Sequence, residues 1–416
     1  MPIQLDAAYY ANNLIVRILP TRGGGVARTP YHIALLLDTS GSMEGEPLSA
    51  VVRTLHLLID RMEEQDMLTV IQYSQDASVI VNCATMTLSS KTDIHRIIDR
   101  LSAQGGTNIE AAITALGSVN IATAPIDAVF LMTDGFINIG ITSSVGLLRL
   151  LSARLPNGTP VNTLGFGTSH NAEMLRDMAV KSRGSYTYAD STELIPAIIG
   201  DIIGGLDDQI GRNAVVTVTG GRCIELGIDE LHPEVYRVGQ LIADKPQWVL
   251  FNSSTLPVKL TWTEGGNEIQ CEVTVTGALD RMDMEEQLQR VRLVETMSSV
   301  AIMIRNREYN RAIDTLLAHA HSLTLSPAAG RPFIIRLQAQ VDEMVEDIRQ
   351  QSILDIDDLR MVTRMVSNTT ALGTQHGFFL SRNTTAQDPD VILSPFSTAH
   401  QRTASASITQ RFNDPT

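Results

Sequence analysis

Three oxygen-bearing side chains follow one strongly apolar segment near the start of the chain. The run Ile33–Leu37 leads directly into Asp38, and Ser40 and Ser42 follow at alternate positions. An unbroken apolar run closed by a polar turn is typical of a strand buried on both faces of a parallel sheet, and ligands bind at the carboxyl ends of such strands. Carboxylate and hydroxyl oxygens suit Mg²⁺, Mn²⁺ or Ca²⁺ better than zinc. The segment therefore predicts a site for a hard divalent cation.

Two later segments carry matching oxygen donors. Thr107 offers a hydroxyl in the turn Gly105-Gly106-Thr107-Asn108, where the glycines allow a tight backbone. A second buried strand, predicted at 127–133, leads into Asp134 and Gly135. Asp38 and Asp134 would then follow strands that lie side by side, with Thr107 on a loop above the same edge.

Strands and helices alternate from about residue 30 to residue 206, which predicts βαβ units and a mainly parallel sheet covered by helices on both faces. The expected strands lie at 33–37, 68–73, 77–82, 127–133, 160–165 and 185–189. The expected helices lie at 47–64, 91–102, 108–119, 143–154, 171–183 and 191–205. The short connection at 74–76 predicts one hairpin, and with it an antiparallel strand at one edge of the sheet.

With these segments in place, the sequence resembles the von Willebrand factor A (VWA) domains. Their metal-ion-dependent adhesion site (MIDAS) consists of Asp-x-Ser-x-Ser, then Thr, then Asp, and all three parts are present at 38–42, 107 and 134. Each part alone would be a weak signal, but together and in this order they are specific. The resemblance covers roughly residues 31–205 and implies a doubly wound, Rossmann-like sheet.

The resemblance also implies a role for each site residue. Ser40, Ser42 and Thr107 would be direct hydroxyl ligands, and Asp38 and Asp134 would act directly or through water. Mg²⁺ is the expected cofactor, with Mn²⁺ or Ca²⁺ as other candidates, because Mg²⁺ keeps several waters and takes few protein ligands. An Asp or Glu of a protein partner would replace one water.

Residues 207–279 show short segments that are polar on one face and apolar on the other, which indicates an antiparallel sheet. A further apolar strand at 8–19 is expected to join the same small β-sandwich. The VWA domain at 30–206 would then be inserted between residues 1–29, which end in a linker, and the rest of the sandwich. The expected strands after the insertion lie at 213–219, 247–251, 257–262 and 268–276.

The last part of the chain divides into a helical and a polar segment. Apolar residues recur every three or four positions in 280–382, which predicts an α-helical bundle, with later helices at 333–350 and 355–366. Residues 383–416 are rich in Ser, Thr, Asn and Gln and cannot bury a core of their own, so a flexible polar tail is expected. A docking segment at 394–396 or 401–402 is the alternative.

Composition limits the classes of function. The net charge is −14, which argues against a nucleic-acid binder. Three scattered cysteines suggest neither a disulfide framework nor a zinc site, and they fit a reducing compartment. No secretory signal and no membrane-spanning segment are recognisable, so a soluble, intracellular, cytoplasmic protein is expected.

An enzyme at this cation would need a general base or a nucleophile nearby. The nearest histidines in sequence, His32 and His56, lie at the amino end of a strand and in the middle of a helix. We therefore expect a non-catalytic interaction or scaffold protein that binds partners through Mg²⁺. Two alternatives stay open, a metal-assisted hydrolase and a partner subunit of an ATPase complex of the chelatase or chaperone kind.

Overall fold

The chain forms two compact units, which we describe separately. The structure is a computed structural model that describes residues 3–22, 28–119, 124–155, 159–167, 169–189, 191–252, 255–274, 277, 279–354, 358–375 and 396–413. One unit comprises the described residues of 3–22, 209–375 and 396, and the other those of 28–208 and 397–413. Residues 23–27 of the predicted linker and residues 383–395, the start of the predicted tail, lie outside the described residues.

The chain begins with a hairpin of two strands, β1 (Ile3–Tyr10) and β2 (Asn13–Pro20), which pair antiparallel. The prediction of one strand at 8–19 is wrong, because the chain turns at Ala11 and Asn12. Both residues have positive φ, 47° and 64°, as the type I′ hairpin turn requires.

A six-stranded mixed sheet forms the centre of the α/β unit, in the order β5-β4-β3-β6-β7-β8. Its strands are β3 (His32–Asp38), β4 (Met67–Tyr73), β5 (Ala77–Thr85), β6 (Ala128–Thr133), β7 (Val161–Phe166) and β8 (Tyr186–Ala189). All neighbouring strands run parallel except β4 and β5, which form the predicted antiparallel hairpin at the edge. Every residue of β3 and β6 is buried, as expected for central strands of a sheet covered on both faces.

Within the described residues of 28–208, six helices follow these strands. They are α1 (Glu46–Arg61), α2 (Leu88–Ile98), α3 (Ile109–Leu116), α4 (Ser144–Arg154), α5 (Ala172–Ser182) and α6 (Ile195–Asp207). A 3₁₀ turn at Gly41–Met43 and Gly45, whose φ is 87°, connect β3 to α1. This short connection carries Ser40 and Ser42 over the carboxyl edge of the sheet. The mainly parallel sheet with alternating helices that the sequence predicted is confirmed.

Two four-stranded antiparallel sheets form the predicted sandwich in the other unit. Their orders are β1-β2-β12-β10 and β11-β9-β13-β14. The later strands are β9 (Gln209–Thr219), β10 (Arg222–Cys223), β11 (Val235–Ile242), β12 (Gln247–Asn252), β13 (Thr255–Glu264) and β14 (Asn267–Val273). Because β2 pairs with β12, the α/β unit is an insertion into the sandwich. Apolar side chains from both sheets, including Val16, Val216 and Trp262, form its core.

Strands β10 and β11 were not predicted from the sequence. The pairing of β11 with β9 shifts register on both sides of Gly239, whose φ is 92°. Such bulges break the regular alternation of polar and apolar residues by which a strand is recognised. Strand β10 has two residues, which is too short for any periodic signal.

The predicted helical region is present after the sandwich. It contains α7 (Arg281–Arg305), α8 (Tyr309–Thr324), α9 (Pro332–Leu354) and α10 (Asp358–Thr374). These helices belong to the same compact unit as the sandwich. The apolar face of α7 packs on the sandwich, where Leu288 and Val291 contact a cluster that includes Trp248 and Leu250.

The end of the chain differs from the expected flexible tail. Residues Ala399–Asn413 form a helix, α11, which belongs to the α/β unit and packs on α6. Ala404, Ile408 and Phe412 are buried there. The segment cannot build a core of its own. It can still form a helix, because one apolar stripe is enough to pack on a domain that already has a core. Gln401, which belongs to the predicted docking segment at 401–402, is also buried.

Candidate metal site

Asp38 ends β3 as a buried carboxylate that two donors hold in place. Its side chain is 1% exposed. The backbone N–H of Ser40 donates to Asp38 Oδ1 over 2.8 Å, and Thr133 Oγ1 donates to Oδ2 over 2.6 Å. Parallel pairing of β3 with β6, with Leu37 opposite Met132, brings Asp38 to the level of Thr133. The sheet register therefore fixes the position of this carboxylate.

A chain of hydrogen bonds connects the two serines to Asp134. Ser40 Oγ lies 3.1 Å from Ser42 Oγ, and Ser42 Oγ donates to Asp134 Oδ1 over 2.6 Å. Ser40 is buried and Ser42 is exposed, so the row of oxygens runs from the sheet edge toward solvent. The first and third segments of the predicted site thus meet directly.

Thr107 is brought to the same place by its loop. Gly41 N–H donates to Gly105 O over 3.0 Å, and Gln104 N–H donates to Thr39 O over 2.8 Å. A Cβ built on Gly135 would lie 3.4 Å from both Thr107 Oγ1 and Ser42 Oγ, so these two hydroxyls flank the same glycine.

The structure also reveals two supporting residues that the sequence analysis did not assign. Thr133 orients Asp38, and Asn138 Oδ1 accepts the backbone N–H of Thr107 over 2.8 Å. The signal for Thr133 was its place in Thr133-Asp134-Gly135, next to an assigned residue. Asn138 gave no signal, because only the folded loop brings it to Thr107. Nearby Asn108 caps α3 by accepting Ala111 N–H.

Burial makes the ionised form of both carboxylates of the site less favourable. Burial raises the pKa of Asp38 above its usual 3.8, and the hydrogen bonds from Thr133 and Ser40 oppose that rise. Burial likewise raises the pKa of Asp134, against the hydrogen bond from Ser42. Asp134 is also one of the charges that raise the pKa of Asp38. A cation between these carboxylates would relieve both effects.

The donor set fits a hard divalent cation. It offers two carboxylates and three hydroxyls, all of them oxygen ligands. Within the described residues no hydrogen bond uses Thr107 Oγ1, although Thr107 is only 3% exposed, so this hydroxyl is available as a ligand. No group of three or more His, Cys, Asp or Glu side chains suited to a metal occurs in the described parts of the chain.

The two histidines considered as bases have other contacts. His32 is buried, with Nδ1 2.9 Å from Ala124 O and Nε2 2.8 Å from Thr69 Oγ1. Burial lowers the pKa of His32. His56 contacts His95 and Asp99 on α2 and the loop after it. Neither ring hydrogen-bonds one of the five site residues.

None of the helices in the described residues has the length and apolar character needed to span a bilayer.

Comparison with known proteins identifies the α/β unit. Residues 32–200 match the von Willebrand factor type A domain. The uncharacterized protein sll0103 of Synechocystis sp. is 35% identical over 167 residues, 39% of this chain and 39% of that protein. Human inter-alpha-trypsin inhibitor heavy chain H3 is 23% identical over 282 residues, 64% of this chain and 30% of that protein. The chain thus spans well under half the length of these relatives.

The similarity of fold extends beyond that domain. The solved structure of the ArnB paralog VWA2 from Sulfolobus acidocaldarius superposes with a TM-score of 0.59 over 89% of this chain and 99% of that one, at 15% identity. At this identity the likeness concerns the fold alone.

Proposed function

We propose that the von Willebrand factor type A domain at residues 32–200 binds a protein partner through a divalent cation, Mg²⁺ in the first place. The observation that carries the proposal is the meeting of Asp38, Ser40, Ser42, Thr107 and Asp134 at the carboxyl edge of β3 and β6. These residues would hold the cation, and Thr133 and Asn138 would hold two of them in position.

The donor set favours binding of an external carboxylate. A bound cation supplies a positive charge with an open coordination position. Three of the five ligands are neutral hydroxyls, so the cation would remain more electrophilic than in a site built of carboxylates alone. Ser42 is exposed and Asp134 is only partly buried, so this side of the site faces solvent. An acidic side chain of a partner is the ligand that such a site attracts best.

The surface beside the site suits a protein rather than a small solute. Phe136 and Ile139 follow Asp134 in the connection to α4 and are 51% and 36% exposed. Exposed apolar side chains next to a polar anchor are typical of protein–protein contacts. We propose that the partner covers them while its Asp or Glu reaches the cation.

A binding role without catalysis fits the surroundings of the site. Neither His32 nor His56 contacts the five residues, and both rings bond elsewhere. A general base must lie within hydrogen-bond reach of its proton. We therefore propose an interaction protein rather than a metal-assisted hydrolase, and a phosphatase and protease assay in Mg²⁺ would reveal any turnover that contradicts this.

The direct test is a Mg²⁺ titration of the full chain and of Asp134→Asn by isothermal calorimetry. The unmodified chain should bind about one Mg²⁺, and the variant should lose at least about tenfold in affinity, since a ligand charge is removed. Asp93→Asn is the matched control, because Asp93 is an exposed aspartate that pairs with Arg96. Equal Mg²⁺ binding by all three proteins would contradict the assignment of the site.

The partner is tested by capture from a lysate in Mg²⁺ and in EDTA. Partners of this site should be retained in Mg²⁺, lost in EDTA and lost with Asp134→Asn. Partners that the chain retains equally in EDTA do not use the cation. If Mg²⁺ binds but no partner depends on it, the metal site stands and the binding function fails.

A further inference from the structure

Helices α1 and α2 carry the same short motif, a histidine followed four residues later by an aspartate. These are His56 and Asp60 on α1, and His95 with Asp99 at the end of α2. Residues four apart lie on one face of a helix. The helices pair these residues crosswise: His56 Nε2 lies 2.9 Å from Asp99 Oδ1, and His95 Nε2 lies 3.0 Å from Asp60 Oδ1.

The crosswise pairs determine which nitrogen of each ring carries its proton. A carboxylate only accepts hydrogen bonds, so each Nε2 is the protonated donor. In a neutral ring Nδ1 is then an unprotonated lone pair. The two Nδ1 atoms of His56 and His95 face each other at 2.5 Å, with the rings stacked at 4.7 Å between centroids.

Two lone pairs at this distance repel each other unless a positive charge lies between them. That charge is either one additional proton, shared by the rings, or a metal ion. Two neutral imidazoles with the carboxylates of Asp60 and Asp99 carry a total charge of −2. A divalent cation neutralises this charge, whereas one proton leaves a charge of −1. The nearby amine of Lys91 does not supply this charge between the rings, because it donates to Asp60 O and Met62 O.

We infer that His56 and His95 form a second metal site, for a divalent cation that prefers imidazole, such as Ni²⁺, Cu²⁺ or Zn²⁺. The carboxylate on the far nitrogen of each ring is the arrangement that metal-ligating histidines use to fix the tautomer and raise the basicity of the ring. Nitrogen ligands exclude Mg²⁺ as the preferred ion. This site is therefore chemically different from the one at Asp38 and Asp134.

The geometry needs one small adjustment. Two imidazole nitrogens on a tetrahedral metal lie about 3.3 Å apart, so the Nδ1 atoms must separate by about 0.8 Å. Both histidines are about a quarter exposed, 28% and 26%, and can rotate toward solvent without disturbing the core. The remaining ligand positions would face solvent and hold water. His56 lies ten residues after the start of α1, about 15 Å along the helix axis, so the site is separate from the carboxyl edge of the sheet.

The test is calorimetric titration of the full chain with Ni²⁺ in saturating Mg²⁺, which occupies the oxygen site. About one Ni²⁺ should bind per chain, and His56→Gln and His95→Gln should each weaken that binding more than about tenfold. His232→Gln is the matched control, because that histidine is 67% exposed and lies in the other unit. Ni²⁺ binding should be unchanged there.

Two further measurements distinguish Ni²⁺ binding at His56 and His95 from binding elsewhere on the chain. Asp99→Asn leaves both histidines in place and should weaken Ni²⁺ binding about 10-fold to 100-fold, as loss of an orienting carboxylate does. The electron paramagnetic resonance spectrum of the chain with one Cu²⁺ should show coupling to two imidazole nitrogens, which His56→Gln removes. Absence of Ni²⁺ binding would mean that the rings share only a proton, and unchanged binding in both histidine variants would place the metal elsewhere. Either result overturns the inference.

Discussion

Thr133 is the residue on which the position and ionisation of Asp38 depend most directly. Its hydroxyl donates to Asp38 Oδ2 over 2.6 Å in a setting where both side chains are buried. Burial raises the pKa of Asp38, and the hydrogen bond from Thr133 is the first of the interactions that oppose this rise. Without that donor the pKa of Asp38 rises further, because the charged form loses its main support.

Thr133→Val should therefore weaken Mg²⁺ binding by about 10-fold to 100-fold and move the loss of binding on acidification to a higher pH. The sign follows because the metal needs the ionised carboxylate, which the variant protonates earlier. In EDTA at neutral pH, the free energy of unfolding of the variant should be about 1–3 kcal/mol lower than that of the unmodified chain. That difference should shrink as the pH falls through the pKa of Asp38, because a protonated carboxyl needs the donor less.

Calorimetric Mg²⁺ titrations over a range of pH check this prediction. Thr163→Val is the matched control, since Thr163 is a buried threonine on β7 whose hydroxyl donates to Leu175 O rather than to the site. It should lower stability without moving the pH at which Mg²⁺ binding is lost. The same pH profile for both variants would show that Thr133 has no specific role at Asp38.

At the scale of secondary structure, the close approach of α6 and α11 depends on small residues. A Cβ on Gly200 would lie 2.6 Å from Ser405 Cα, and one on Gly204 would lie 2.8 Å from Gln401 Cα. Only glycine allows two helices to come this near each other at both positions. Polar groups complete the contact: Ser397 Oγ donates to Asp201 Oδ1 over 2.5 Å, and Ser405 Oγ donates to Ala197 O over 3.0 Å.

Gly200→Ala should release α11 from α6. Relative to glycine, alanine in a helix interior raises stability by about 0.5–1 kcal/mol. Any net loss of stability in the variant therefore reports the clash with the Ser405 backbone. We expect a destabilisation of about 1–3 kcal/mol and faster hydrogen–deuterium exchange of residues 399–413. Gly330→Ala, where a Cβ would meet nothing within 4 Å, should leave that exchange unchanged. Undiminished protection of α11 in Gly200→Ala would contradict the prediction.

At the scale of the whole molecule, the sandwich and the helical region are one unit because they share buried polar contacts. Arg290 of α7 and Glu225 have fully buried side chains, and Arg290 donates to both carboxylate oxygens over 2.9 and 2.6 Å. Arg290 also donates to Gln287 Oε1 and to Leu372 O at the end of α10. One guanidinium thus connects the sandwich with two helices.

Glu225→Gln should destabilise this unit by about 3–5 kcal/mol, because it leaves a buried guanidinium without its counter-charge. The double change Glu225→Gln with Arg290→Met should recover part of that loss. Urea unfolding followed by tryptophan fluorescence measures it, because both tryptophans, Trp248 and Trp262, lie in this unit. Glu230→Gln, at an exposed ion pair with Arg222, is the control and should change stability by about 0–1 kcal/mol. Equal effects of Glu225→Gln and the control would refute the role of the buried pair.

Several features of the fold and the site follow from local pattern. The apolar runs that became β3 and β6 are unbroken because central parallel strands are buried on both faces, and this made Asp38 and Asp134 recognisable as strand ends. The three segments of the candidate site were recognised together, because their order matches a family site although each alone is a weak signal. The hairpin at Ala11 and Asn12 was missed because Ala11, unlike Gly or Asn, gives no signal for positive φ.

The sequence by itself determined the alternation of strands and helices, the inserted α/β unit and the identity of the five oxygen-bearing residues, because each depends on neighbours along the chain. Only the tertiary structure decided what depends on distant partners. The register of β3 against β6 selected Thr133 as the donor to Asp38. The glycines of α6 allow the polar C-terminal segment to pack closely, and the segment forms a helix on that surface. The packing of α1 on α2 brought His56 and His95, 39 residues apart in sequence, into contact.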